Sequence, residues 1–216
     1  MAAESRRGAG LAATEKRVDG RSRAVDPEGS TSERLTTTAA SLFRRKGYAQ
    51  ATTRELADAL GIRKASLYYH ISNKEDLLFE ISMHSLGHIA EAVGTAAAGA
   101  SPEDRLRVLI QAHVVTSLSE RDMHTVMLTE LRALSPERRQ EVVAARDEYE
   151  ALLRGVIADD QKAGRLRTDI DAKLLTLSLL NVLNWTIFWF DPNDDLTPER
   201  LGEVLATVFL DGAGER

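Results

Sequence analysis

Residues 52–78 read TTRELADALGIRKASLYYHISNKEDLL, and three short elements can be counted off within that run. Thr52 followed by Glu55 fits a capping box, in which each side chain accepts from the other residue's backbone amide at a helix start. Leu56, Ala57 and Leu60 then recur at helical spacing, so a helix near 53–60 has one buried face. Gly61 follows at once, and a glycine between two short helices takes the positive φ of a tight helix-turn-helix without Cβ strain. In the next helix, near 64–70, Leu67, Tyr68 and Ile71 are expected to face inward, with Ala65 small enough for close approach to the helix before it. Arg63, Lys64, Ser66, Tyr69 and His70 are left facing outward. A second box, Ser72 to Glu75, restarts the chain as a further helix from about residue 73.

The same periodicity extends in both directions. Upstream, Leu35, Ala39, Leu42 and Phe43 form one stripe on a helix near 33–47. Downstream, helices are expected near 73–98, 102–119, 122–133, 136–163, 171–190 and 198–210. Ser101-Pro102, Ser135-Pro136 and Thr197-Pro198 each place a capping residue before a proline at the first helical position. Alternating β patterns are nearly absent, so the fold class is all-α with about nine helices. Residues 1–30 are rich in Ala, Gly, Arg and Ser and have too little apolar surface to offset ordering entropy, which predicts a disordered N-terminal arm. Residues 31–80 then form a small helix-turn-helix head, and residues 81–216 a longer helical body.

Composition narrows the function. With 216 residues and 43% hydrophobic content, the chain can bury a real core in both parts. The absence of cysteine excludes disulfides, thiol catalysis and thiolate metal sites, and suits a reducing compartment. No run approaches the ~20 apolar residues of a membrane span, and the basic N-terminus has no apolar segment after it. A cytoplasmic protein with no membrane partner is expected. The net charge of −5 is unevenly spread: residues 31–80 hold 8 Lys/Arg against 6 Asp/Glu, whereas residues 81–216 hold 14 against 22. A mildly basic head on an acidic body suits a protein that meets a polyanion at one end. Neither G-x-S-x-G, nor H-E-x-x-H, nor a glycine-rich phosphate loop is present, so neither an enzyme nor a cofactor is expected. His84 and His88 share a helical face at i and i+4, but the sequence offers no evident third ligand, and no metal is expected.

The outward set of the short helix carries the chemistry of a major-groove reader, where Arg, Lys, Ser and His reach base edges while other contacts hold phosphates. At this point the stretch 52–78 resembles the DNA-binding head of the TetR family of bacterial transcriptional regulators. It follows that family's pattern T-x-x-x-I/L-A-x-x-x-G-V/I-x-x-x-x-L-Y-x-H/Y-F-x-x-K-x-x-L across three helices and the start of a fourth. The resemblance implies that Thr53, Arg54, Tyr68 and Lys74 contact phosphates of double-stranded operator DNA, and that Lys64, Ser66, Tyr69 and His70 face the bases or the groove. Two positions depart from the pattern. Ile71 replaces the usual Phe, and Arg63 stands where the family often has a Ser or Thr cap. Arg63 is therefore either a lost cap, worth ~1 kcal/mol, or an added DNA contact.

In the body, LLTLSLLNVLNWTIFWF at 174–190 is apolar nearly all round and must be covered on two sides. The last helix shows Leu201, Val204, Leu205, Val208 and Phe209 at helical spacing, with Gly202 and Ala206 allowing close approach. As in the TetR family, two such helices from each chain would make a four-helix homodimer interface through 171–190 and 198–210. A ligand pocket is expected among His113, Met123, Met127, Leu131, Asn181, Asn184, Trp185 and Phe188, because buried polar groups on a covered helix need partners. Asn181 and Asn184 fit the dimer seam equally well. The segment 184–212, NWTIFWFDPNDDLTPERLGEVLATVFLDG, is similar to the C-terminal ends of TetR-family repressors of lipid and steroid catabolism that respond to CoA thioesters. Cations for the CoA phosphates would then come from Arg105, Arg121, Arg132 or Arg146. The resulting expectation is a homodimeric, ligand-responsive repressor on a palindromic operator, released by a small hydrophobic effector such as an acyl-CoA. A constitutive DNA-binding protein without effector, or a protein-interaction module on the same fold, is the alternative.

Overall fold

The computed structural model describes residues 31–213, so the expected arm at 1–30 lies outside the described residues. The described chain is all-α. It runs α1 (Thr31–Lys46), α2 (Thr53–Leu60), α3 (Lys64–Leu67), α4 (Lys74–Gly99), α5 (Arg105–Ser119), α6 (Arg121–Thr129), α7 (Pro136–Lys162), α8 (Ala172–Trp189) and α9 (Pro198–Ala213), with one 3-10 turn at Leu131–Ala133.

The start of α2 is the expected capping box: Glu55 N donates to Thr52 Oγ1 at 3.2 Å, and Thr52 N donates to Glu55 Oε2 at 3.0 Å. Lys46, at the end of α1, pairs with the same carboxylate. That pairing, followed by the bonds from Thr52, holds the Glu55 carboxyl down at about 2. α2 ends at Gly61 with φ 67, where Gly61 N donates to Asp58 O and Ile62 N to Ala57 O, the paired bonds of a Schellman motif.

Two starts differ from those expected. α4 is capped by Asn73 and Asp76 rather than by Ser72 and Glu75: Asp76 N donates to Asn73 Oδ1 at 3.0 Å and Asn73 N to Asp76 Oδ2 at 2.9 Å. The shift frees Glu75, whose Oε1 accepts from Ser135 N at 2.9 Å at the start of α7. α5 begins at Arg105, because Ser101 Oγ accepts from Asp104 N and forms a turn instead of a first helical residue.

α1, α2 and α3 close around Leu35, Ala39, Phe43, Leu56, Ala57 and Leu67, all nearly inaccessible. This cluster continues through Leu77, Leu78 and Ile81 of α4 into Met123, Val126 and Met127 of α6 and Val142 of α7. Head and body therefore share one core at the point where α4 leaves the head. A second cluster joins Leu106, Ile110 and Val114 of α5 to Ile157 of α7, Leu179, Leu183 and Ile187 of α8, and Leu201 and Ala206 of α9. Gly202 serves this packing: a Cβ there would lie 3.0 Å from the Gln111 Cα. The close approach expected of Gly202 and Ala206 is thus used within the chain, where α9 packs on α5.

Candidate nucleic-acid interface and internal cavity

α3 is only four residues long and continues as a tightened turn, with Tyr69 N donating to Ser66 O and His70 N to Leu67 O. Arg63 precedes it in extended conformation and makes no side-chain cap. Leu67 and Ile71, four residues apart on one face, are 0% and 4% exposed and take the whole buried side. Tyr68 falls to the margin at 47% exposure instead of facing inward, and Ala65 is exposed instead of packing on α2. With two apolar anchors, a helix this short has no room for a third inward position. Tyr69 is 89% exposed, Arg54, Arg63, Lys64 and His70 are also exposed, and Ser66 is half-buried. Thr53 Oγ1 lies 3.4 Å from the Tyr68 hydroxyl, and the Lys64 ammonium 5.8 Å from the Tyr68 ring centroid. The first turn of α2 and the start of α3 therefore share one polar, cationic edge.

Lys74 is turned inward. Its ammonium donates to Tyr48 O at 2.7 Å and Ala51 O at 2.9 Å, and sits 4.2 Å from the centroid of the Tyr48 ring. Partial burial lowers its pKa. Two of its three N–H groups close the loop between α1 and α2, which a reading as a free phosphate contact does not foresee.

Beside this loop the head meets the body through polar contacts. Arg138 of α7 donates to Asp76 Oδ1 at 2.6 Å, and its guanidinium lies 5.3 Å from the Phe79 ring centroid. Tyr48 N donates to Glu130 Oε1 at 3.2 Å, and Arg44 of α1 donates to Asp122 Oδ1 of α6 at 2.5 Å. Desolvation pushes the Asp76 carboxyl up, but donation from Arg138 and from the amides of Asn73 and Ser72 outweighs it and holds the group below its ordinary value.

Farther along α4, a cavity of about 350 Å³ opens between α4, α5, α6, α7 and α8. Leu86, Ile89, Met127, Leu128, Leu177 and Leu180 supply its apolar wall, and His113, His124, Tyr149, Asn181 and Asn184 its polar groups. Ser85 Oγ and His124 Nδ1 are 3.1 Å apart, as are His124 Nε2 and Asn184 Oδ1. The Asn184 carbonyl can only accept, so His124 carries its proton on Nε2 and takes the Ser85 hydroxyl at Nδ1. His113 Nδ1 and the Tyr149 hydroxyl are 2.7 Å apart, while His113 Nε2 is buried without a hydrogen bond. Burial, followed by the neighbouring His124, lowers His113 to about 3, although Asn184 acts weakly in the opposite sense. Burial lowers His124 to about 4 and pushes the Tyr149 phenol up. All three are neutral at pH 7.

Of the residues read as pocket candidates, His113, Met127, Asn181 and Asn184 line this cavity. Met123 is buried in the core between head and body, and Leu131 packs half-buried against it. Trp185 and Phe188 stand on the outer face of α8, 63% and 45% exposed, with ring centroids 4.8 Å apart. Tyr149, His124 and Ser85 were missed. His124 had a visible signal, a lone imidazole among Met123, Val126 and Met127, whereas Ser85 and Tyr149 had none. Among the four arginines considered, Arg146 lines the cavity, beside Asp147 and Glu150. Arg121 Nε instead donates to Ile187 O at 2.6 Å, Arg132 is exposed, and Arg105 is absent from the cavity wall.

The outer faces of α8 and α9 form an apolar surface. Leu174, Val182, Trp185, Trp189 and Val208 are each about half-exposed or more, and Leu175, Leu179, Leu205 and Phe209 floor a groove between the two helices. A contiguous apolar patch of this kind is rare on a monomer. Elsewhere, Glu120 hydrogen-bonds His84, and its other oxygen lies 3.1 Å from His88. No helix of the described residues is long and apolar enough to cross a membrane.

A short exposed recognition helix, set by a glycine turn and continuous through α4 with a hollow helical body, defines a helix-turn-helix DNA-binding regulator. Residues 35–81 match the family of bacterial regulatory proteins of the tetR type, and residues 99–213 the tetracyclin repressor-like C-terminal domain. The chain belongs to the TetR family of transcriptional regulators. It is 28% identical over 196 residues to the HTH-type transcriptional repressor KstR2 of Rhodococcus jostii, spanning 88% of this chain and 95% of the relative. Among solved structures it is similar to the TetR family regulator PfmR of Thermus thermophilus, at 34% identity and a TM-score of 0.78, covering 85% of this chain and 100% of that one. It is also similar to AibR in complex with isovaleryl coenzyme A and operator DNA, at 27% identity and a TM-score of 0.74 over 82% of this chain and 96% of that one.

Proposed function

We propose that this protein is a cytoplasmic, ligand-responsive transcriptional repressor that binds a palindromic operator as a homodimer and leaves it when a small hydrophobic effector enters the body. The carrying observation is the outward side of α3 and the turn that continues it, where Arg63, Lys64, Tyr69 and His70 stand exposed while Leu67 and Ile71 anchor the segment. In this reading residues 31–80 bind DNA and residues 81–216 bind ligand and dimerise. Thr53, Arg54 and Tyr68 take phosphates at the edge shared by α2 and α3, and Lys64, Ser66, Tyr69 and His70 enter the major groove with Arg63 beside them. Lys74 supports the loop from below. The protein has regulatory and not catalytic chemistry.

The apolar faces of α8 and α9 would pair with those of a second copy, setting the two recognition helices about one duplex turn, ~34 Å, apart. The effector is assigned to the cavity, whose 350 Å³ suits an acyl chain better than a whole CoA. His113 Nε2 offers a buried hydrogen-bonding site for a polar atom such as a thioester carbonyl, and Arg146, on the cavity wall, would take a phosphate. The AibR complex with isovaleryl coenzyme A supports a CoA thioester. A polar ligand atom that competes for Asn184 or His124 would loosen the chain of bonds to Ser85 on α4, and α4 carries the head. An effector acts only through its different affinity for two states, typically ~1–3 kcal/mol of coupling.

The test is a titration of palindromic fragments from upstream of the protein's own gene at several salt concentrations, with isovaleryl-CoA and longer acyl-CoAs then added to the complex. Tight binding with a negative log–log salt slope, reversed by one of the thioesters, is expected. Undetectable or salt-independent binding to every fragment would sink the proposal. A constitutive DNA-binding protein has no use for a cavity with an unpartnered buried imidazole nitrogen, which disfavours that alternative.

A further inference from the structure

The exposed side of α4 carries a cluster that the regulator reading does not use. His84 and His88, one turn apart on α4, point to Glu120, the single residue between α5 and α6. Glu120 Oε1 lies 3.1 Å from His84 Nε2, and Glu120 Oε2 lies 3.1 Å from His88 Nδ1. Each residue offers one ligand atom, and these atoms all lie within 4.8 Å of one another. We infer that His84, His88 and Glu120 form a binding site for a first-row transition-metal ion of the Zn²⁺ type, which fastens α4 to the junction of α5 and α6.

Three features carry this. The first is distance. Zn–N and Zn–O bonds of ~2.0–2.2 Å place tetrahedral ligand atoms ~3.4 Å apart. His84 Nε2 and His88 Nδ1 each lie 3.1 Å from a different oxygen of Glu120, and one atom from each of the three residues already falls within 4.8 Å of the others, so rotation of the imidazoles and the carboxylate draws the set together.

The second is the lack of a competing cation. Arg121, the neighbour of Glu120, turns its Nε to Ile187 O, and Asp122 takes Arg44. Among the described residues no lysine or arginine pairs with Glu120, so its charge is met by two imidazoles alone. The third is access. The two histidine side chains are 47% and 43% exposed, so the protons displaced from His84 Nε2 and His88 Nδ1 can move to the opposite ring nitrogens, which water then solvates. The same opening admits a water as fourth ligand. Two imidazoles with one carboxylate favour Zn²⁺, Co²⁺, Ni²⁺ or Cu²⁺ over Mg²⁺ and Ca²⁺, which prefer all-oxygen sites.

The position gives the site a consequence. Ser85, next to His84, belongs to the buried bonds with His124 and Asn184, so α4 is held from inside by that chain and would be held from outside by the ion. Occupancy would favour the present seating of α4.

The full chain, free of any affinity tag and stripped with a chelator, can be titrated calorimetrically with Zn²⁺, and with Co²⁺ followed by visible absorption. One ion per chain, a raised melting temperature and cobalt d–d bands are expected, with no competition from Mg²⁺. H84Q, H88Q and E120Q should each weaken binding by at least ~10-fold, and E199Q, at an exposed position of α9, should leave it unchanged. Failure to bind any of the ions, or retention of full affinity in the H84Q/H88Q double variant, would overturn the assignment. No DNA enters the measurement, so the result is independent of the regulator proposal.

Discussion

Arg138 Nη2 donates to Asp76 Oδ1 at 2.6 Å, so the first turn of α7 is tied to the capping box that starts α4. The same carboxylate takes the Ser72 and Asn73 amides, and its neighbour Glu75 takes the Ser135 amide. These polar bonds add to the shared apolar core in fixing the orientation of the head, while α7 reaches from there to the cavity wall at Arg146 and Tyr149. Replacing Arg138 by Met should cost about 1 kcal/mol, since a charge-assisted bond is worth more but this one is part-exposed and screened. It should also weaken effector-driven release more than it weakens operator binding. Urea unfolding and release assays on the same variant check the two parts, and equal losses of binding and release would argue against transmission through this contact.

Lys74→Met should lower stability by roughly 1–3 kcal/mol, because it leaves the Tyr48 and Ala51 carbonyls without their donor. Its salt slope for DNA should stay near wild type. Arg54→Ala, by contrast, should leave the melting temperature alone and reduce the log–log slope by ~0.9. Melting curves and salt titrations of both variants separate support from phosphate contact.

Acid should destabilise the fold through its buried imidazoles. His113 and His124 are lowered to about 3 and about 4, against 6.5 for an unperturbed histidine. Below pH 6.5 the unfolded chain takes up protons that the folded one refuses, so stability is fully present above that pH and is lost as pH falls toward 4. The slope approaches about 1.4 kcal/mol per pH unit for each histidine. H124Q should flatten the fall in denaturant midpoint between pH 6.5 and 4; an unchanged profile would mean that other groups control it.

Trp185→Glu, placed on the 63% exposed ring of α8, should yield a monomer with unchanged helix content. Sedimentation velocity reads the mass, and operator affinity should fall with it, since one recognition helix covers only a half-site. A dimer that persists in this variant would move the pairing surface elsewhere.

Gly202→Ala should destabilise by ~1–3 kcal/mol, because the new Cβ meets backbone rather than a flexible side chain at Gln111. Gly212→Ala, where a Cβ meets nothing within 4 Å, is the control. Thermal melts of the pair compare them.

Local chemistry made much of this protein legible from its sequence. Thr52 and Glu55, and the glycine after Leu60, act over a few residues through backbone amides and φ, so the start and stop of α2 could be read directly. The spacing of Leu35, Ala39, Leu42 and Phe43 likewise depends only on the helical period, and all four are buried. What separated from the reading depends on residues far apart in the chain. Lys74 turns inward because the α1–α2 loop leaves two carbonyls within its reach. Trp185 faces out because α5 and α7 already cover the other side of α8, and Glu120 meets His84 and His88 only because α4 packs along the junction of α5 and α6. Periodicity marks which residues of a helix are apolar or polar, but a partner 36 residues away, as between His84 and Glu120, is set by packing. The helices, the glycine turn and the recognition face follow from local pattern; the cavity, the head-to-body clamp and the cluster on α4 follow from packing, since each is assembled by contacts that no local pattern encodes.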